Sequence, residues 1–372
     1  MAAAAGGMVD VIAQAGDPPA AHGEHDDVGK CGIAGGGAGS EGFPRGAAAG
    51  RTARRWECHS HEKRSLAPPH LCIYRRGMNE NNLGDTTVNR IGFGAMQLAG
   101  PGVFGPPADP ENAKAVLRHA VANGVDHIDT AQIYGPDVVN DLIREALHPY
   151  PEGLRLATKV GGARDDKGGW LPSADPASLK RQVEENLRSL RVERLDLVNL
   201  RRFERDHPEF TNPPLADQLG ALAELREEGK IDMIGISNAH LDTVESAIEL
   251  TGAVCVQNAY SILNRTDDDI IELCRRHAVA FVPFFPLGSA FGAGGPRHLA
   301  ADEHVSAVAA KHGATATQIA LAWLLGRYER MLLIPGTSSI AHLDENLAVG
   351  RIELDADDLE RLEKVQAIPL GA

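Results

Sequence analysis

At 372 residues the chain can bury one large core or two modest ones. Its hydrophobic content of 43% and charged content of 24% are those of an ordinary globular protein, and no unbroken apolar run reaches the roughly 20 residues of a membrane span. A formal charge of −14 works against attraction to phosphate backbones, so neither a membrane nor nucleic acid is an expected partner, although a local basic pocket stays open.

Residues 1 to about 80 carry Ala and Gly runs, Gly35-Gly36-Gly37 and Ala47-Ala48-Ala49 among them, with scattered charges and no sustained period. Such a segment has little apolar surface to offset the entropy of ordering and is expected to be a disordered extension. A targeting peptide conflicts with Asp10, Asp17, Glu24, Asp26 and Asp27. Met78, just ahead of the first strand, is the expected true start. The five cysteines, Cys31, Cys58, Cys72, Cys255 and Cys274, are odd in number and lack C-x-x-C spacing, which suggests a reducing, cytoplasmic setting. Cys255 and Cys274 are expected to be small buried hydrophobes. No metal site is expected.

From Val88 onward, apolar segments too short for helices alternate with stretches of helical period, the pattern of parallel strands with crossover helices. The predicted strands are Arg90–Met96, His127–Thr130, Arg155–Val160, Leu195–Leu200, Met233–Ser237, Val254–Asn258, Phe281–Phe285 and Leu332–Pro335. Asp109-Pro110 and Asp175-Pro176 place an N-cap before a first-turn proline, and Thr315 with Gln318 forms a capping box. Leu179, Val183, Leu187 and Leu190 give one core-facing stripe. Eight β/α units in about 280 residues fit a single (β/α)₈ TIM barrel of the α/β class. Gly92-Phe-Gly94 is followed by Ala95-Met96-Gln97, which is not the Gly-rich turn of a doubly wound sheet.

In such a barrel chemistry sits at the C-terminal ends of the strands. Asp129 and Tyr134 follow the second predicted strand, Lys159 ends the third and Arg201 the fourth. An ammonium near a phenol favours phenolate, so Lys159 would make Tyr134 a competent proton donor, with Asp129 holding Lys159 charged. Taken alone, Tyr134 is equally readable as a packing residue and Asp129 with Lys159 as a rim ion pair.

The segment Gly124-Val-Asp-His-Ile-Asp129-Thr-Ala-Gln-Ile-Tyr134-Gly135, followed by Ala157-Thr-Lys159-Val, resembles the aldo-keto reductase family. Ile234-Gly-Ile-Ser237-Asn238, Val256-Gln257-Asn258 and Ile334-Pro-Gly-Thr-Ser-Ser match in the same order, so the resemblance covers residues 86–367. It implies carbonyl reduction of a small molecule with NADPH, or alternatively NADH, and Tyr134 giving the proton. The family's usual fourth catalytic residue is a histidine, where this chain has Arg201. A permanently charged guanidinium can clamp a developing oxyanion but cannot relay a proton.

The resemblance further places Ser237, Asn238 and Gln257 on the nicotinamide carboxamide and stacks Phe284 on its ring. Gly94, Met96, Pro286, Leu287 and Gly288 would line the cofactor. Ser289 to Gly295 is a candidate pyrophosphate loop. Gly336, Thr337, Ser338, His342, Glu345 and Asn346 match the adenosine phosphate site, with Gly336 and His342 standing where a lysine and an arginine are common. Asn199-Leu200-Arg201, Pro283-Phe-Phe-Pro-Leu-Gly288 and Ile334–Leu347 most resemble a bacterial branch that includes pyridoxal reductases, which implies reduction of pyridoxal to pyridoxine. Other readings are a broad-specificity aldehyde reductase, a cofactor-binding regulatory protein with little turnover, and a Schiff-base lysine barrel. Oligomeric state is not readable.

Overall fold

A short antiparallel hairpin, β1 (Glu80–Leu83) and β2 (Thr86–Asn89), opens the computed structural model, which describes residues 80–205, 209–288 and 294–368. The expectations for the N-terminal extension, its three cysteines and residues 289–293 lie outside these. Leu83 and Val88 of the hairpin pack with Ala157, Leu197, Cys255, Val282, Leu332 and Ile334, closing one end of an apolar interior. The hairpin was not expected from the sequence, because its short polar strands carry no alternation to detect.

Seven parallel strands then follow: β3 (Phe93–Gly94), β4 (His127–Asp129), β5 (Arg155–Val160), β8 (Leu195–Arg201), β9 (Ile231–Ser237), β10 (Cys255–Gln257) and β11 (Ala280–Phe281), each paired with the next. The ring closes through the expected eighth position. Leu333 bridges Ile91 and Met331 bridges Phe281, both parallel, and Gly92 N–H donates to the Leu333 carbonyl at 2.8 Å. The fold is therefore the (β/α)₈ barrel that the alternation implied.

Five predicted strands are shorter than expected, two of them, His127–Asp129 and Cys255–Gln257, by one or two residues and three by more. Leu332–Pro335 makes only lone bridges, and Pro335 has no N–H to extend a ladder. Arg90–Met96 shrinks to Phe93–Gly94 because the chain turns into a 3₁₀ segment at Ala95–Leu98, which takes Met96 off the strand. Phe281–Phe285 stops at Phe281, with Pro283 interrupting, and Phe284 returns only as a bridge to Ala259.

The outer ring is α1 (Pro110–Ala122), α2 (Val138–Leu147), α3 (Pro176–Leu190), α4 (Leu215–Glu227), α5 (Leu241–Thr251), α6 (Asp268–His277), α9 (Ala316–Arg327) and α10 (Ile340–Ala348). Further helices α7 (Pro296–Ala301), α8 (Glu303–His312) and α11 (Ala356–Leu362) are added around it. The caps form as read: Asp109 accepts from Asn112 N–H, Asp175 from Ser178 N–H, and both bonds of the Thr315/Gln318 capping box are present. Leu179, Val183, Leu187 and Leu190 are all buried. Cys255 and Cys274 are buried and free, and burial pushes the Cys274 thiol up to about 12. Among the described residues no helix is long and apolar enough to cross a membrane.

A second hairpin also has no counterpart in the expectations. Between β5 and α3 a two-stranded hairpin, β6 (Gly162–Arg164) and β7 (Trp170–Pro172), rises at the C-terminal end of the barrel. The Asp165 carboxylate accepts from the amides of Lys167 and Gly169, and Gly168 takes a φ of +81°, a conformation that only glycine reaches without strain.

Candidate active site

Parallel strands present all their C-terminal ends on one face, and the candidate side chains gather there. Asp129 ends β4, and Lys159 lies on the neighbouring strand β5, whose Ala157 pairs with Asp129. The Lys159 Nζ donates to Asp129 Oδ2 at 2.5 Å and to the Thr130 carbonyl at 3.1 Å. It lies 5.1 Å from the centre of the Tyr134 ring. All three residues are at least nine-tenths buried. Burial works to lower the Lys159 pKa, but the charge of Asp129 and the hydrogen-bonding Tyr134 hydroxyl outweigh it, and the pKa is raised. The partners keep this ammonium charged despite the loss of water.

A polar network behind the strands fixes their outward side. Thr130 Oγ1 donates to Asn140 Oδ1 on α2, at 2.8 Å, and Thr158 Oγ1 donates to Asn186 Oδ1 on α3, at 2.6 Å. Asn140 Nδ2 spans both helices, donating to Asn186 Oδ1 and to Ser189 Oγ. Thr130 and Thr158 each adjoin one member of the ion pair in sequence, so the network sets the backbone from which Asp129 and Lys159 project.

Arg201 ends β8 and pairs in register with Ser237. Its guanidinium carbon is 5.1 Å from the Phe203 ring centre and 5.8 Å from that of Trp170. Trp170 in turn meets Tyr134 edge to face at 6.3 Å, which brings Arg201 into the same cluster. Arg202, its neighbour, is a buried structural residue, bonded to Glu204, the Pro213 carbonyl and Gln218.

Sequence reasoning missed Trp170 and Arg164, which the β6–β7 hairpin places beside Tyr134. Arg164 stacks 4.0 Å from the Trp170 ring centre and 5.6 Å from that of Phe104. The Asp165-Asp-Lys-Gly-Gly169 turn between two short runs was the available signal.

The residues assigned to a cofactor divide into two groups. Ser237 and Asn238 at the end of β9 and Gln257 at the end of β10 are buried near Asp129. Gln257 Nε2 donates to Asp129 Oδ1 at 2.8 Å, and its Oε1 is buried without a partner. Asn238 Nδ2 donates to the Arg202 carbonyl at 2.8 Å, the backbone role open to any strand-end amide. Phe284, Pro286, Leu287 and Gly288 form a half-buried rim past β11, where Gly288 pairs with Gly294 across residues 289–293.

The second group surrounds the start of α10. Ser339 caps that helix by accepting from His342 N–H, and Gly336, Ser338 and His342 are exposed there, while Thr337 and Asn346 are buried and Glu345 half-buried. Glycine at 94 and 336 has a steric cause. A Cβ on Gly94 would come within 2.4 Å of the Ile334 carbonyl oxygen, and one on Gly336 within 2.5 Å of the Gly94 carbonyl oxygen. Close approach of these two segments at the barrel seam leaves no room for a side chain at either position.

A model of the aldo/keto reductase family matches residues 90–367. The chain is 46% identical over 287 residues to pyridoxine 4-dehydrogenase of Escherichia coli K12, covering 77% of this chain and 98% of that protein. Among solved structures it is similar to the thermostable aldo-keto reductase Tm1743 bound to the inhibitor epalrestat, with a TM-score of 0.63 and 28% identity over 76% of this chain and 98% of that one. It is also similar to an aldo/keto reductase of Klebsiella pneumoniae in complex with NADP and acetate, with a TM-score of 0.62 and 25% identity over 76% and 93% of the two chains.

Proposed function

The chain belongs to the aldo/keto reductase family and is an NAD(P)H-dependent oxidoreductase, and from that premise we propose that it reduces an aldehyde to an alcohol with NADPH, pyridoxal to pyridoxine being the foremost candidate. The observation that carries this reading is the buried Asp129–Lys159–Tyr134 unit at the mouth of the barrel.

The residues present suit a nicotinamide dinucleotide. Gln257 offers a buried oxygen without a donor, beside Ser237 and Asn238, as an amide ligand group would need. The N-terminal end of α10 and the hydroxyls of Thr337 and Ser338 suit a phosphate, even with Gly336 and His342 in place of fixed cations. When bound, the reduced cofactor supplies the hydride.

The protein's own part is acid–base and electrostatic. The Tyr134 hydroxyl donates its proton to the carbonyl oxygen. The Lys159 ammonium stabilises the phenolate left behind, and Asp129 keeps that ammonium charged and aimed. Arg201, from the end of β8, adds a fixed positive charge that stabilises the developing oxyanion.

Loss of NADPH absorbance in the presence of pyridoxal and a panel of small aldehydes tests the proposal. Turnover with pyridoxal well above the panel supports the narrow reading, and comparable rates across the panel support a broad aldehyde reductase. Failure to oxidise NADPH with any member, while NADPH still quenches protein fluorescence, would leave only a cofactor-binding protein. The same quenching titration is expected to show tighter binding of NADPH than of NADH.

A further inference from the structure

We propose that Arg164 is a specificity-determining residue, whose guanidinium recognises an anionic oxygen on the substrate close to its carbonyl. The preferred substrates are then aldehydes with a phenolate or carboxylate on the same ring as the reacting carbon. This deepens the proposed function and rests on it.

Several observations on the β6–β7 hairpin converge here. Arg164 and Trp170 are cross-strand partners, and their stack at 4.0 Å fixes the plane of the guanidinium. Phe104 is a second aromatic neighbour, and Nη2 is anchored on the Gly102 carbonyl at 2.8 Å. The remaining donors, on Nε and Nη1, are closed off from solvent and have no acceptor. A charged group with unmet donors is disfavoured until an acceptor reaches it, and anionic oxygens match the guanidinium fork best.

Asp165, the adjacent carboxylate, does not supply that acceptor: its Oδ1 accepts from the Lys167 and Gly169 amides of the turn, and neither of its oxygens bonds Nε or Nη1. Burial pushes the guanidinium pKa down, opposed by the charges of Asp165 and Tyr134, so Arg164 and the phenol sense each other. Tyr134 marks where the carbonyl oxygen must sit. An acceptor for Arg164 therefore arrives with the substrate, on the side of the site where Trp170 lies between Arg164 and Tyr134. Lys159 is already neutralised by Asp129, which leaves Arg164 as a cation beside Tyr134 whose side-chain donors are not fully used. A purely structural role, holding Trp170 in place, would need the flat stacking surface but not the open donors.

The test compares kcat/KM for two aldehydes of the same ring, 3-hydroxypyridine-4-carbaldehyde, whose ring oxygen ionises readily, and pyridine-4-carbaldehyde. With the full chain and NADPH, the hydroxylated aldehyde is expected to be preferred by about tenfold or more, as for a charge-assisted contact made only to it. Arg164→Gln is expected to bring the ratio near one, the hydroxylated aldehyde losing about tenfold or more beyond whatever pyridine-4-carbaldehyde loses. Arg164→Lys, which keeps the charge but not the fork, is expected to retain part of the preference. Equal kcat/KM for both aldehydes in the wild-type protein overturns the inference alone. So does an Arg164→Gln variant that loses both activities by the same factor. An NADPH-binding protein that reduces neither aldehyde, nor any of the wider panel, overturns the proposed function and the inference with it.

Discussion

Replacing Asp129 by asparagine isolates the contribution of one charge to the buried pair. Asp129 and Lys159 are 5% and 8% exposed, with Nζ to Oδ2 at 2.5 Å, so the variant leaves an ammonium buried without its counter-charge. Removing one partner of a buried ion pair costs about 3–5 kcal/mol, because the remaining charge keeps its desolvation penalty. With an unfolding entropy of about 2 cal/mol/K per residue over a barrel of about 280 residues, that corresponds to a melting temperature lower by roughly 5–9 °C. Turnover should fall about 10- to 100-fold, the scale for losing an orienting partner, since Tyr134 is still present.

The pH dependence carries the sign. Folding raises the Lys159 pKa above its ordinary 10.5, so the pair's stabilisation is complete below that value and is lost as pH rises through the folded one. In Asp129→Asn burial acts against the ammonium with only Tyr134 opposing it, and the alkaline loss of activity moves to lower pH. Thermal melts and kcat followed from neutral to alkaline pH measure both effects. A variant with wild-type melting temperature and an unmoved alkaline limb would refute the argument.

Tyr134→Phe should lower carbonyl reduction by at least about 100-fold while changing the NADPH dissociation constant by less than about threefold; wild-type turnover would remove Tyr134 as the proton donor. Arg201→Ala should lower kcat by about two orders of magnitude, as when an oxyanion donor is lost. Arg201→His should recover part of that and add a pH dependence near ~6.5, and an unchanged profile in Arg201→Ala would exclude the clamp. A chain beginning at Met78 should keep its melting temperature and turnover, because among the described residues the core contacts begin at Leu83; unfolding of that chain would show that the preceding segment contributes.

The site was legible where function rests on residue type at a strand end. Asp129, Tyr134 and Lys159 lie in or next to strands marked by their own apolar runs, and barrel topology alone brings the strand ends together. What could not be read depends on contacts between distant segments. The Arg164–Trp170 pair comes from the register of a hairpin too short to show alternation. The need for glycine at 94 and 336 comes from the approach of the first and eighth strand positions, which are about 240 residues apart in sequence. Gln257 was assigned to a ligand by family resemblance, yet one of its groups is tied to Asp129. Strand ends were least legible at Pro283 and Pro335, where hydrophobicity continues but the backbone donor is missing.

The Thr130–Asn140–Asn186–Thr158 network has a consequence for how this barrel can change over time. Asn186 Oδ1 receives two donors at once, from Thr158 and from Asn140, and Asn140 also serves Thr130 and Ser189. Any single replacement strands the partners that depended on it, whereas a matched set of replacements need not. Helices α2 and α3 are thus energetically coupled to the strands that carry Asp129 and Lys159, so replacements within the network are expected to be non-additive.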